Sequence, residues 1–236
     1  MTDDGAWREG LNARFLDAGA ALCFDWEYQV FHAYAVNTDL VNPGEIRSVR
    51  DLLDPKWRGR ILTSDPRIGT GLWSAASVVK SRGQAVLTEL LVDQSPVVSV
   101  GGRDLAEGLV SGRYPVALGL RPKSLAAFRE KGLADHVAFL DLPDADFVPS
   151  TALLYLDRAP HPTAAKLFAN WILSQEGQTI LTRDTPTNSA RSDVAAFEPD
   201  GIGTAGATYF DPDREANYAH TAATQRFVNG LLGRAP

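Results

Sequence analysis

Gly69-Thr70-Gly71 follows Arg67 by two residues and lies between a short apolar run, "RILTS" (60–64), and a helical pattern, "GLWSAASVVKSRG" (71–83). Residues of these types at this spacing have a definite chemistry. The first N–H groups of a helix are unpaired and carry the positive end of its dipole, worth about 0.3–1 kcal/mol toward an anion at an exposed site. A guanidinium just upstream can add a charge-assisted hydrogen bond of about 1.5–3 kcal/mol. Ser64, Arg67, Thr70 and Gly71 are therefore candidate contacts for an anionic group. A purely structural helix start, with Thr70 as its N-cap, uses the same residues and stands beside that reading.

Other chemistries find less support. A dinucleotide fingerprint needs a third glycine where Ser74 stands, although Glu89 lies at a suitable distance for a ribose contact. A phosphate-binding P-loop fails because no Gly-Lys-Ser/Thr follows. His32, His136, His161 and His220 form no zinc-binding pair, and no G-x-S-x-G elbow occurs. His161, between two prolines, reads as a capping or surface residue at a helix start. The single cysteine, Cys23, lies in "AGAALCF" and reads as a core thiol; alone, it rules out a disulfide framework or a CxxC site. No catalytic constellation, metal site or cofactor motif emerges.

The elements that must position these residues alternate between strand and helix, which argues for an α/β architecture. "RILTS", "PVVSV", "YPVALGL" and "HVAFLDL" read as strands. Between them fall helical patterns: Leu72, Ala75, Ala76 and Val79 on one face with Gly83 as the stop, then Val86 to Leu91, then "RDLAEGLVSG" and "PKSLAAFREKG". Further on, "STALLYL" (150–156) reads as a strand. In "APHPTAAKLFANWILSQEGQTIL", Ala164, Leu167, Phe168, Trp171 and Ile172 form one apolar face that must pack on a sheet. Ser174 is placed to cap a second helix, and the tail ends in the weakly helical "ATQRFVNGLL". The composition is that of a globular protein, with 44% hydrophobic and 22% charged residues and a net charge of −6. Nucleic acid is an unsuitable partner for that balance without a basic run, and no apolar stretch reaches the length of a membrane span.

Taken together, "DLLDPKWRGRI" (51–61), "SDPRIGTG" (64–71), the 159–181 motif and "NSARSDV" (188–194) resemble the extracellular solute-binding proteins of ABC importers, in the ferric-iron and phosphonate-type branch. "AYAVNTDLV" (33–41) is similar to that family's segment crossing between lobes. The resemblance implies a two-lobed, type 2 periplasmic-binding-protein fold. It assigns residues 1–37 and 150–236 to lobe one and 38–149 to lobe two, with hinge strands near Tyr34–Asn37 and Thr151–Tyr155. It also implies a periplasmic or extracellular location, a permease partner and a small ligand held by lobe closure. Members begin with a signal peptide and an opening βα segment that are not found here, so lobe one is expected to be incomplete at its N-terminus and the chain poorly soluble or oligomeric.

Ferric-iron members resemble this chain in outline but carry adjacent tyrosines where Gly119-Leu120-Arg121-Pro122-Lys123 stands here. Phenolates suit Fe3+, whereas arginine cannot ligate a metal. Arg121, with Lys123, instead favours an anionic organic ligand: a phosphonate, sugar phosphate or carboxylate. A solvated loop charge is the plain alternative for Arg121. Trp26 and Tyr28 offer an apolar wall or core packing, Ser150 and Thr151 offer hydroxyls, and Arg103 sits at another helix start. Ferric-iron binding, an enzyme acting on a phosphate ester, and a non-binding remnant remain as rival functions.

Overall fold

The computed structural model describes residues 4–233 apart from 100, 186 and 205. The chain divides into two compact units. Unit 1 comprises residues 1–30, 148–205 and 211–218, and unit 2 comprises 31–147, 206–210 and 219–236. The residues expected to form lobe one are thus shared out. Tyr34–Asn37 and the tail beyond 218 lie with unit 2, and the chain crosses at 30/31 and 147/148, ahead of both expected hinge strands.

Unit 2 is built on a five-stranded mixed sheet in the order β4-β3-β5-β2-β6, where β2 is Tyr34–Asn37, β3 Ile61–Ser64, β4 Val97–Ser99, β5 Val116–Leu118 and β6 Val137–Leu140. β3 runs parallel to both β4 and β5, and β2 is antiparallel to β5 and β6. The period of two along the strands sends their apolar residues to opposite faces, and each face is covered. On one, Ile61, Val116 and Leu118 pack with Ala75, Ala76 and Val78 of α1 (Gly69–Arg82) and with Leu87 of α2 (Gln84–Thr88). On the other, Leu62 and Ala117 pack with Leu105, Ala106 and Leu109 of α3 (Gly102–Val110). Each large apolar side chain buried in this way contributes roughly 1.5–3 kcal/mol.

Most of the local expectations hold in unit 2. α1 ends at Gly83, whose φ of +87° suits the glycine that stops a helix. The second helix widens after Thr88 into a π-helical turn, Glu89–Asp93. "PKSLAAFREKG" forms a 3-10 turn, Pro122–Leu125, and only one helical turn, α4 (Ala126–Arg129). Thr70 is not the cap of α1: Ile68 occupies that position with no side-chain cap, and Thr70 lies inside the first turn. The weakly helical tail is instead a long helix, α7 (Glu215–Leu232).

Unit 1 has less to cover itself with. β1 (Cys23–Asp25) pairs antiparallel with β7 (Ala152–Leu154) as a two-stranded ribbon. Trp7, Phe24, Leu173 and Ala190 form its small core, and Cys23 is half-buried. α5 (Pro162–Ile172) buries none of its residues. The apolar face expected to pack on a sheet is open: Leu167 is 72% exposed, Phe168 55% and Trp171 40%. A two-stranded ribbon is too narrow to shield it. α6 (Gln175–Asp184) is capped as expected, with the Ser174 hydroxyl accepting from the Gly177 N–H at 3.1 Å.

This open face carries an expected result. Size-exclusion chromatography with light scattering should show self-association that grows with concentration, and Leu167→Glu with Trp171→Glu should reduce it. A clean monomer across a wide concentration range would overturn that expectation.

Candidate functional site

The connections of unit 2 create a concave edge. The chain leaves β3 for β4 through α1 on one face, and leaves β4 for β5 through α3 on the other. Successive crossovers on opposite faces make a topological switch point beside β3, where open α/β sheets hold their ligands at the carboxyl ends of the strands. The turns that leave there include residues 64–68 and 119–121, and α3 begins after Gly101.

These turns touch one another. Gly119 has φ +77°, and a Cβ added there would collide with Ser64 Oγ. At Gly71, a Cβ would collide with the Asp65 carbonyl and come within 2.8 Å of Ser64 Oγ. A Cβ on Gly102 would approach Ser124 Oγ at 2.7 Å. Glycines here let three loops meet at backbone distance, which sequence alone cannot reveal.

Of the residues expected to bind ligand, Ser64, Arg67 and Arg121 lie on the turns of this edge, and Thr70 and Gly71 lie in the first turn of α1 that follows. Their states differ. Ser64 Oγ is turned inward, buried without a hydrogen-bond partner, and lines a cavity of about 20 Å³ with Tyr34, Thr63, Ser74 and Gly119. That space fits about one water molecule, not an organic ligand. Burial also pushes the Tyr34 phenol well above its ordinary range.

Arg67 is engaged with its neighbour. Its Nε and Nη2 donate to the two oxygens of Asp65 at 2.8 and 2.7 Å, and its backbone N–H donates to Asp65 Oδ1 at 2.9 Å. These hydrogen bonds hold the Asp65 carboxyl below the usual carboxylate range. The guanidinium therefore braces the turn, and its charge is largely matched. Asp65, two residues before Arg67, was the available signal.

Arg121 and Lys123 are different: both are exposed, and neither side chain has a hydrogen bond or ion pair with any described residue. They remain as uncompensated positive charge at the mouth of the edge. Arg103 lies exposed in the first turn of α3.

The expected residues of unit 1 are engaged within that unit. Trp26 and Tyr28 pack against the Trp7–Phe24 core. Ser150 Oγ donates to Asp25 Oδ2 at 3.3 Å, and Thr151 Oγ1 donates to Glu27. Their hydroxyls thus serve carboxylates of the protein itself. Burial pushes the Asp25 carboxyl up to about 7, against the opposing pull of Arg14, and also raises Glu27.

Sequence reasoning also missed a side-chain group at the β2/β6 end of the unit 2 sheet. His32 Nδ1 lies 2.8 Å from Asp146 Oδ2 and 3.9 Å from Asp141 Oδ1, and Tyr209 donates to Asp141 at 2.9 Å. Ligand atoms of His32, Asp141 and Asp146 fall within 4.8 Å of one another, a spacing that can hold a cation. Asp146 already accepts from the N–H groups of Ala33 and Leu142, so it also ties these two segments of unit 2 together.

Comparison with known proteins follows from this geometry. The sequence profile of the bacterial extracellular solute-binding proteins matches residues 30–184, more than half of the chain. No curated protein matches the sequence. Among solved structures, iron-bound HitA from Pseudomonas aeruginosa is similar at TM-score 0.67 and 20% identity, covering 90% of this chain and 71% of that one. Apo FutA2 from Synechocystis PCC6803 gives 0.69 and 18%, covering 95% and 76%. AfuA from Actinobacillus pleuropneumoniae, with fructose-6-phosphate bound, gives 0.58 and 19%, covering 90% and 68%. At these identities the likeness is one of fold, and that fold is the two-lobed α/β architecture of periplasmic binding proteins. No helix among the described residues is long and apolar enough to cross a membrane. By the profile that covers residues 30–184, this chain belongs to the bacterial extracellular solute-binding proteins.

Proposed function

We propose that this chain is the solute-capturing component of an ABC importer, acting outside the cytoplasmic membrane and delivering a small anionic organic ligand to a permease. The observation that carries this reading is the uncompensated pair Arg121 and Lys123, on the segment leaving β5 at the same sheet edge from which the chain leaves β3 for Gly69, Thr70 and Gly71 at the start of α1. In this reading the helix N-terminus and the guanidinium take the anionic head group, and Arg67 keeps the turn in shape. Ligand contacts that exist only when the lobes close favour the closed population. Binding and release, not turnover, are the function proposed.

The ligand class follows from charge: a phosphonate, a sugar phosphate or a carboxylate. AfuA, which holds a sugar phosphate, supports the same class by fold. A second reading, a ferric-iron cargo, is favoured by the nitrogen and oxygen donors of His32, Asp141 and Asp146 and by the iron in HitA.

Thermal-shift screening against phosphonates, sugar phosphates, carboxylates, polyamines and Fe3+ separates these readings. An anion should stabilise the protein, and Arg121→Ala should weaken that anion by about tenfold or more, the size of one charge-assisted contact. Stabilisation by Fe3+ alone would overturn the anionic reading. Chemical conversion of a bound phosphate ester would move the protein to the enzymes.

A further inference from the structure

Unit 1 contains a buried arginine whose hydrogen-bonding capacity is mostly unused. The Arg14 side chain is only 4% exposed, yet its Nε and Nη1 have no hydrogen-bond acceptor. Its one hydrogen bond runs from Nη2 to Glu9 Oε2 at 3.0 Å. Asp25 Oδ2 stands 3.6 Å from Nη1, too far for a hydrogen bond, and its oxygens already accept from Ser150, Thr151 and Glu27. A buried guanidinium left this way is costly, because its desolvation is only partly repaid.

A second cation stands alongside. Arg8 also has a buried, unpartnered Nε, and the guanidinium carbons of Arg8 and Arg14 lie 5.9 and 5.5 Å from the centre of the Tyr28 ring. Two cations therefore share one aromatic ring, and cation–π attraction supplies only part of what an anion would. The acidic groups facing them are Glu9 and Asp25, and burial raises the Asp25 carboxyl to about 7, so that it is largely protonated only below that pH.

Glu9 is the revealing member. Its side chain is 61% exposed, and its backbone lies in the left-handed region at φ +62°, next to Gly10 at +88°. An exposed carboxylate thus rests on one nitrogen of a guanidinium that can bind an oxyanion through two.

We infer that Arg14, with Arg8 and Tyr28, forms an oxyanion seat in unit 1, taking a phosphate or carboxylate group in place of the Glu9 carboxylate. The seat is built from residues wholly separate from the unit 2 edge and does not depend on the function proposed for it. The ligand's oxygens would engage Arg14 bidentately, and Arg8 would complete its charge balance.

NMR of the arginine Nε–H groups tests this, with the Arg14 signal assigned by its loss in Arg14→Lys. The titrations use inorganic phosphate and, separately, acetate, in an Arg121→Ala background that silences the unit 2 edge. The Arg14 signal is expected to shift saturably with phosphate, acetate or both, which identifies the preferred oxyanion. Glu9→Gln should tighten that binding about tenfold by removing the competing carboxylate, and Arg14→Lys, followed through the Arg8 Nε–H signal, should weaken it by at least as much. An Arg14 signal that responds to neither anion in both the background protein and its Glu9→Gln variant would overturn the seat. Loss of all anion binding in Arg121→Ala, with Arg14 silent, would do the same while leaving the unit 2 reading intact. A saturable Arg14 shift with no effect of Arg121→Ala elsewhere would uphold the seat and count against that reading.

Discussion

Gly119→Ala is expected to destabilise unit 2 by about 3 kcal/mol, with no loss of an apolar contact to explain it. Two costs add. Gly119 sits at φ +77°, a conformation that an L-residue adopts at a cost of about 1 kcal/mol or more. The added methyl would then collide with Ser64 Oγ, on a turn whose neighbour Asp65 is fixed by Arg67. Relief by movement is limited, since the Gly119 N–H also donates to the Ala33 carbonyl at the start of the sheet. Urea denaturation gives the measurement. Adding Ser64→Ala should return part of the loss, because it removes the hydroxyl but leaves the backbone cost. A change below about 1 kcal/mol in the single variant would show that the turns are less tightly held than their geometry indicates.

The second large effect is a dependence of stability on pH that runs opposite to ordinary acid denaturation. Asp25 is 2% exposed, and burial raises its carboxyl from 3.8 to about 7. Between those values the folded chain keeps a proton that the unfolded chain has released. The stabilisation is therefore fully present at the acid end, declines as pH rises from about 4 to about 7, and stays low above that. The difference corresponds to the order of 4 kcal/mol. Asp146, Glu27 and Asp211 are raised by burial as well and act in the same direction. Asp25→Asn keeps an oxygen to accept from the Thr151 N–H and removes the titration. Denaturation curves near pH 5 and near pH 8 should show the wild type losing about 2–3 kcal/mol more than the variant. Parallel pH profiles for the two proteins would refute the assignment.

What the sequence disclosed, and what it hid, follows the range of the interactions. β3, β5 and β6, the stop of α1 at Gly83 and the Ser174 cap were legible because each depends on residues a few positions apart. The exposed face of α5 was not. Periodicity identifies an apolar stripe but says nothing of how wide a sheet is present to receive it. The unit 2 edge was half legible. The sequence singled out Arg67 and Arg121 alike but not their difference: Arg67 is neutralised by a carboxylate two residues away, whereas Arg121 meets no described partner. Tyr28 was weighed as wall or core, and it is core on one side and a platform for two arginines on the other. His32 and Asp146 are 114 positions apart, so only the folded chain brings them together.

The arrangement of β4, β3 and β5 has a consequence for how such a protein can change its diet. Ile61, Leu62, Val116, Ala117 and Leu118 are all buried, so the strands leave little room for variation. The turns they feed are bound to one another by glycine contacts at Gly71, Gly102 and Gly119, yet the side chains of Arg121 and Lys123 hang from that framework without supporting it. Two exposed positions can therefore be exchanged with little effect on folding. If the proposed anion contact is right, its selectivity rests on two exchangeable side chains carried by a frame that must stay fixed.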